Sequence, residues 1–304
     1  MIKKAIVTAA GYGTRQFPAT KTVQKEMLPL IDTDGVTKPT IQVILEKVFE
    51  AGISEAALIV QPGAAAGMKR HFHENITDTR FDGKPEQQAL AEKLQEMAGR
   101  ITFIEQTSQQ GFGHAVFCAR DWIGNEPFLL CLGDHVYVSN TSESCIQQLL
   151  HVFARRNAPV LGLQQTPEDL LHLFGTVTGT CAESSGLYRL NRMLEKPAVK
   201  TARSELRIPG LDQYLTVFGL YALMPQVFAI LDTHIQQNKR SGGEIQLTPA
   251  LQELIESGPV YGVEIQGERL DMGTPEGYLH TLTSLGLRSC FQQQLLQLYE
   301  RESS

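Results

Sequence analysis

Between Ala5 and Gln165 the chain alternates compact apolar runs with segments whose apolar residues recur at helical spacing, and this alternation constrains the fold most. AIVTAA (5–10), EAALIVQPG (55–63), ITFIEQ (101–106), PFLLCLGD (127–134) and PVLGLQQ (159–165) read as strands. PTIQVILEKVFEAGI (39–53), stopped by Gly52, reads as a helix, as do Ala66–His73, QQALAEKLQEMA (87–98), GHAVFCARDWI (113–123) and Cys145–Arg155. Strand and helix in alternation predict an α/β fold with a mostly parallel sheet covered on both faces.

After residue 165 the pattern loosens. FGTVTG, GLYRLNRMLEKP and YLTVFGLYALM suggest strands that need not run parallel to the first set. PQVFAILDTHIQQ (225–237) and ALQELIES (250–257) are helical, VYGVEIQG (260–267) is a strand, and 275–300 is largely helical. There is no internal repeat and no low-complexity linker. The polar stretches near Thr77–Pro85 and Thr201–Leu211 are the expected flexible loops.

The 304 residues carry 27 Lys+Arg against 33 Asp+Glu, a formal net charge of −6. Such a balance argues against nucleic acid or an anionic membrane as the main partner, since both need a concentrated basic surface. No apolar run has transmembrane length, and MIKKAIVTAA reads as a first buried strand, not a targeting leader. The five cysteines are odd in number and lack CxxC spacing, and Cys118 and Cys131 sit in apolar runs. Free thiols in a reducing compartment, hence a cytoplasmic enzyme, are expected.

Chemistry concentrates in TAAGYGTRQFPATKTVQKEMLPL, residues 8–30. Gly11 and Gly13 follow a strand, where backbone amides can approach a phosphate with no Cβ in the way. Arg15, Lys21 and Lys25 add three cations beside the loop, which suits a polyphosphate. The pattern is neither a P-loop nor a dinucleotide fingerprint. Taken alone, Gly11 and Gly13 fit a plain turn equally well. Asp134 fits a turn cap at the end of a strand, Asp271 a turn aspartate before glycine, and Lys25-Glu26 and Glu195-Lys196 exposed ion pairs. The spacing of His71, His73, His114 and His135 fits neither a zincin nor a zinc ribbon. No GxSxG or Cys-His signature supports covalent hydrolysis.

The segment resembles the signature of the bacterial UTP–glucose-1-phosphate uridylyltransferases (UDP-glucose pyrophosphorylases) of the sugar-nucleotidyltransferase superfamily. The likeness continues in GFGHAVFCA (111–119), LGD (132–134), YRLNRMLEKP (188–197), FGLYAL (218–223), SGGEIQLT (241–248) and LDMGTPEGYL (270–279), in family order along nearly the whole chain. The resemblance implies a Rossmann-like three-layer sandwich with a mixed, mostly parallel central sheet. It implies one nucleotidyltransferase domain over 1–304, with 1–165 mainly nucleotide-binding and 166–304 carrying sugar-binding and oligomerisation elements.

By resemblance, Ala10, Gly11 and Gly13 match the loop that wraps the nucleotide, Arg15 its phosphate-handling arginine and Lys25 the phosphate-contacting lysine. Glu26 matches a residue near the base, and Gln106 and Gly111 match base-reading positions, the glutamine amide offering a donor and an acceptor. Asp134 and Asp271 match the two magnesium-binding aspartates. Glu195 and Lys196 match the pair that holds the sugar hydroxyls and sugar phosphate, and Gly219 and Glu244 further sugar contacts. The implied reaction is reversible: UTP and glucose 1-phosphate give UDP-glucose and pyrophosphate, with Mg2+ as cofactor and no protein nucleophile. Dimers or tetramers are implied as well.

Three positions and one turn depart from the family pattern. His135 stands where a second aspartate is usual after LG, Gln24 where proline is common, and Pro249 where an aspartate is typical, which alters the cap of a helix near Ala250. The turn between Asp32 and Lys38 is longer than expected. Two alternatives therefore stay open: the same chemistry with another base or sugar, and a catalytically weak homologue that senses a nucleotide-sugar.

Overall fold

The structure, a computed structural model, describes residues 1–73, 81–183 and 186–302. Its frame is a nine-stranded mixed sheet. In chain order its strands are β1 (Lys4–Ala9), β4 (Glu55–Val60), β5 (Ile101–Glu105), β6 (Phe128–Leu132), β8 (Val160–Thr166), β9 (Gly175–Glu183), β10 (Leu187–Glu195), β11 (Tyr214–Leu223) and β12 (Tyr261–Glu264). Across the sheet the order is β5-β4-β1-β6-β11-β8-β12-β10-β9. All but β10 and β11 run in one direction. Strand β11, from the second half of the sequence, lies between β6 and β8 of the first, so both halves share one sheet. Two ribbons stand apart from it: β2 (Pro29–Ile31) with β3 (Thr37–Pro39), and β7 (His135–Ser139) with β13 (Gly267–Asp271).

Alternation along the strands builds the three layers. Ala5, Val7, Leu129, Cys131, Leu220 and Ala222 face one side. There they pack against α1 (Thr40–Glu50), α2 (Ala65–His73) and α6 (Cys145–Arg156). Ile6, Phe128, Leu130, Tyr221 and Leu223 face the other. Opposite them lie α4 (Phe112–Phe117), α5 (Arg120–Ile123), α8 (Gln226–Gln236) and α9 (Leu247–Ser257). A period of two sends successive side chains to opposite faces, and each fully buried large apolar side chain contributes about 1.5–3 kcal/mol. Helix α3 (Pro85–Ala98) flanks α2, and α7 (Val199–Glu205) packs through Ala202 against Leu171 of the 3-10 segment Glu168–Leu173. Helices α10 (Pro275–Gly286) and α11 (Gln292–Glu302) close the chain.

Several sequence expectations need adjustment. The helix over 113–123 divides into α4 and α5, because the Ala119 N–H bonds to Val116 and tightens the turn. The stretch Thr201–Leu211 opens in α7 and is not wholly loop. Of Thr77–Pro85, residues 77–80 lie outside the described residues, and Pro85 begins α3. Helix α9 starts at Leu247, not near Ala250, with Pro249 in its first turn, where a missing N–H removes no intrahelical bond. The strand expected over 260–267 ends at Glu264, and the chain re-enters as β13 in a different ribbon. All five cysteines are free, with Cys131 and Cys145 buried.

A buried polar knot ties the β2–β3 ribbon to the helices. Lys38 Nζ lies 2.9 Å from Asp32 Oδ2, 2.6 Å from Asp34 Oδ2 and 2.9 Å from Glu46 Oε2. Lys93 of α3 reaches the same Glu46 oxygen at 2.9 Å, and Gln42 donates to the other at 2.8 Å. Next to the ribbon, the backbone N–H and hydroxyl of Thr40 both donate to Leu28 O, which holds the turn carrying Lys25. Burial alone would raise the Glu46 carboxyl, but hydrogen bonds from Lys93, Gln42 and Lys38 hold it below its ordinary value of 4.5. A lowered folded pKa means that this stability is complete above the unfolded value and is lost as pH falls through the folded one. Thermal unfolding should therefore show a melting temperature steady down to about pH 5 that falls below it. Glu46→Gln should cost about 1–3 kcal/mol at neutral pH and make the acid decline shallower.

Candidate active site

Strands β1 and β6 are parallel neighbours, and their C-terminal ends open into the glycine loop and the Gly133-Asp134 turn. Open α/β sheets bind ligands at such ends. The two ends run so close that the Gly133 N–H donates to Thr8 O at 2.9 Å, and a Cβ at Gly133 would stand 2.6 Å from that oxygen. Ala10 is buried at the edge of the core. Gly13 has φ 62°, a backbone that side chains disfavour, and turns the chain toward Arg15.

Lys25 and Glu26 come from the 3-10 turn Lys25–Met27, with the Lys25 side chain running under Gly11. The Lys25 ammonium hydrogen-bonds Asp134 Oδ2 and lies 3.4 Å from Glu26 Oε1, a buried oxygen that has no hydrogen-bond partner. Burial would raise the Asp134 carboxyl, yet the Lys25 charge, with smaller help from His135, pulls it down to about 2. Burial pushes Glu26 up to about 7, with Lys25 opposing. Burial also disfavours the Lys25 ammonium, but Asp134 and Glu26 outweigh it and raise its pKa. The cation is thus held charged beside the glycine loop.

Asp271 arrives from the far end of the sequence on β13, whose pairing with β7 sets it opposite His135. Met272 N donates to Asp134 O at 2.8 Å, and Gln16 Nε2 donates to Met272 O at 2.9 Å, so the loop of Arg15, the turn of Asp134 and the turn of Asp271 are stitched together. Gly273 is the floor of this meeting point. A Cβ there would lie 2.7 Å from Arg15 Nη2, 2.8 Å from Asp271 Oδ1 and 3.4 Å from Asp134 Oδ2. The Gly273 N–H donates to Asp271 Oδ1 at 2.7 Å and aims that carboxylate. His135 Nε2 sits 3.7 Å from Asp271 Oδ1 and 4.0 Å from Asp134 Oδ1, while its buried Nδ1 is unpartnered and faces Gly219. Lys21 remains on an exposed turn.

The other expected residues form two further groups. Gln106, buried at the end of β5, donates from Nε2 to Gly111 O at 3.0 Å and lies 3.0 Å from His114 Nδ1. Burial, then the Arg240 charge, lowers the His114 pKa, so the neutral ring can accept. The amide nitrogen is thus engaged within the protein. Gly111 has φ 120°, and a Cβ there would strike Glu244 Cβ at 2.7 Å, which brings the Glu244 loop onto the Gln106 loop. Glu195 and Lys196 lie at the end of β10. Glu195 accepts from the Thr248 hydroxyl at 2.5 Å, and Lys196, at φ 45°, has Nζ 3.8 Å from Glu195 Oε1. Gly219 sits in an irregularity of β11 and joins the first group through His135 and the Tyr137 hydroxyl, which donates to Gly219 O at 2.8 Å.

Two acidic sets bear on a metal. Asp32, Asp34 and Glu46 present ligand atoms within 4.8 Å of one another and could coordinate a divalent cation, but Lys38 already sits among them. Asp134 and Asp271 offer hard oxygen donors across the space that the missing Gly273 side chain leaves, a donor set suited to Mg2+. Sequence reasoning missed Gln16, Tyr137 and Arg269, which act through contacts 52 to 256 residues away. It also passed over Gly273, although that residue lies inside the LDMGTP block.

A glycine loop, convergent cations, an aspartate at the end of parallel strand β6 and a second brought to it by the β7–β13 ribbon define a nucleotide-handling α/β protein. Residues 4–285 match the nucleotidyl transferase family, and the chain belongs to it. It is 35% identical over 312 residues to the UTP–glucose-1-phosphate uridylyltransferase of Staphylococcus epidermidis, covering 99% of this chain and 98% of that one. The Bacillus subtilis protein of the same name is 36% identical over 290 residues, covering 94% and 92%. Among solved structures, the UTP-bound UGPase from Acinetobacter baumannii superposes with a TM-score of 0.81 at 26% identity, covering 98% of this chain and 100% of that one. A UDP-glucose pyrophosphorylase complexed with UDP-glucose gives 0.77 at 27%, covering 93% and 98%. The homology is to bacterial UDP-glucose pyrophosphorylases. Among the described residues no helix is long and apolar enough to cross a membrane.

Proposed function

We propose that this chain transfers a uridylyl group from UTP to glucose 1-phosphate, releasing UDP-glucose and pyrophosphate. The observation that carries the reading is the convergence of Arg15, Lys25, Asp134 and Asp271 around Gly273, in a chain that aligns end to end with uridylyltransferases. The amides of Ala10–Gly13 receive the nucleotide phosphates, and Glu26, Gln106 and Gly111 line the base side. Residues 1–165 supply this nucleotide half. Residues 166–304 supply the sugar half through Glu195, Lys196, Gly219 and Glu244.

The phosphate oxygen of glucose 1-phosphate attacks the α-phosphorus of UTP, the bond to pyrophosphate breaks, and no protein group is modified. Positioning and charge neutralisation then carry the catalysis. Lys25 and Arg15 stabilise charge on the departing pyrophosphate, and Lys196 holds the incoming sugar phosphate against anionic repulsion. Asp134 and Asp271 would hold Mg2+, which when bound neutralises phosphate charge and polarises the α-phosphate. Lys25, whose side chain runs under Gly11, faces the nucleotide phosphates.

Lys196→Ala tests the sugar side. The variant should raise KM for glucose 1-phosphate about tenfold or more, the scale of one charged hydrogen bond, with KM for UTP nearly unchanged. Initial rates with each substrate varied in turn decide it, and weakened UTP use with normal sugar phosphate use would reverse the assignment.

His135 in place of an aspartate and the engaged Gln106 amide favour, as a second reading, the same transfer with another base or sugar. A homo-oligomer is supported by α11, which buries no residue and leaves Leu296, Leu298 and Tyr299 exposed. Free thiols support a reducing, cytoplasmic setting.

A further inference from the structure

One half-buried arginine touches the Asp271 ribbon and the sugar-side strands together. Arg269 lies on β13 two residues before Asp271 and pairs with Tyr137 as Asp271 pairs with His135, so both point to one face of the ribbon. That face meets β11 where its ladder with β8 breaks between Val217 and Tyr221. Arg269 Nη1 donates to Val217 O at 2.7 Å there, beside the Tyr137 bond to Gly219 O. The guanidinium also stacks on the Phe174 ring, with Cζ 4.0 Å from the centroid. The carbonyl of Phe174 accepts the backbone N–H of Lys196 at 3.2 Å and helps hold it at φ 45°, a region a lysine keeps only when its surroundings impose it.

A merely structural side chain would be better apolar at this place. Arg269 Nε is buried with no hydrogen-bond partner, and among the described residues no carboxylate lies within ion-pair distance of the guanidinium. A half-buried cation without an ion-pair partner adds little stability, and apolar replacements of similar size are commonly as stable or more so. What the arginine supplies is a planar fork that can stack and donate at once, which lysine cannot reproduce.

We infer that Arg269 is a positioning residue that fixes the separation between the Asp134–Asp271 side of the site and the Lys196–Gly219 side. The inference rests on the uridylyl-transfer reading above. Because the two reactants approach from those two sides, displacement of about an ångström costs up to a hundredfold in rate.

Initial-rate kinetics on the full chain test it with Arg269→Met, Arg269→Lys and Phe174→Leu, each also measured by thermal unfolding. Arg269→Met should lower kcat/KM for glucose 1-phosphate about 10–100-fold and leave KM for UTP within about threefold. Arg269→Lys should recover only part of the loss. Combined with Lys196→Ala, Arg269→Met should add less than its separate effect, since it acts through the same segment. Should Arg269→Met fail to fold, Phe174→Leu keeps the arginine and should show the same substrate-selective loss at about 3–10-fold. A wild-type chain that turns over while these variants keep normal kinetics, or raise KM for UTP as much as KM for glucose 1-phosphate, overturns the inference alone. A wild-type chain without turnover overturns the reading and the inference with it.

Discussion

Asp134→Asn should lower kcat about 10²–10³-fold, the usual cost of removing one preorganised electrostatic partner from a transfer site, with the fold retained. The amide keeps the size of the side chain and an acceptor oxygen but loses the charge. Two consequences follow from the geometry. The hard anionic donor opposite Asp271 is gone, so the apparent affinity for Mg2+ should fall together with kcat. The ammonium of Lys25 also loses its hydrogen-bonded partner and keeps only Glu26, at 3.4 Å and without hydrogen-bond geometry. That second change costs about 1–3 kcal/mol of stability, well short of unfolding a domain of ordinary stability. Steady-state rates across a Mg2+ titration, with circular dichroism as the check on fold, separate the two effects. Near-normal kcat with normal Mg2+ dependence would remove Asp134 from the site.

Gly273→Ala carries the next largest effect, and it is almost purely steric. Gly273 does not have the positive φ that would strain an alanine backbone, so the cost comes from the methyl group. That methyl would enter the space between Arg15 Nη2 and Asp271 Oδ1, at 2.7 and 2.8 Å from them. Arg15 is exposed and can swing aside. Asp271 is fixed by the Gly273 N–H and cannot move without losing that bond. Turnover should fall about 10–100-fold, with a stability loss of about 1–3 kcal/mol from overpacking. Gly67→Ala, at a helical position where nothing lies within 4 Å of the new methyl, is the control and should keep full turnover. Equal kinetics in the two variants would show that the space over Gly273 is not used.

What could be seen in the sequence was local. The apolar runs EAALIV and ITFIE announce β4, which is buried on both faces, and the edge strand β5, and the amphipathic α1 leads into them. The quoted blocks named Arg15, Lys25, Asp134 and Asp271 before any geometry, and the structure brings their side chains to one place. The ribbon that does so was not legible. His135–Ser139 and Gly267–Asp271 are five-residue strands whose pairing joins residues more than a hundred positions apart, and nothing local in either marks the partner. For the same reason the strand expected over 260–267 covered β12 but reached only the first residue of β13. The irregularity in β11 was hidden as well, because Gly219 reads as an ordinary glycine in a strand until its φ of 87° and its contact with His135 are seen. His135 could be recognised as a departure, but its position between both aspartates depends on long-range pairing.

The most direct test of uridylyl transfer is 31P NMR of the purified wild-type chain with Mg2+, using UTP, dTTP or CTP against glucose 1-phosphate and other hexose 1-phosphates. UTP with glucose 1-phosphate should give UDP-glucose and pyrophosphate in equal amounts, with kcat/KM at least about tenfold above every other pair. Nucleotide binding without pyrophosphate from any pair, or a clear preference for another pair, would contradict it.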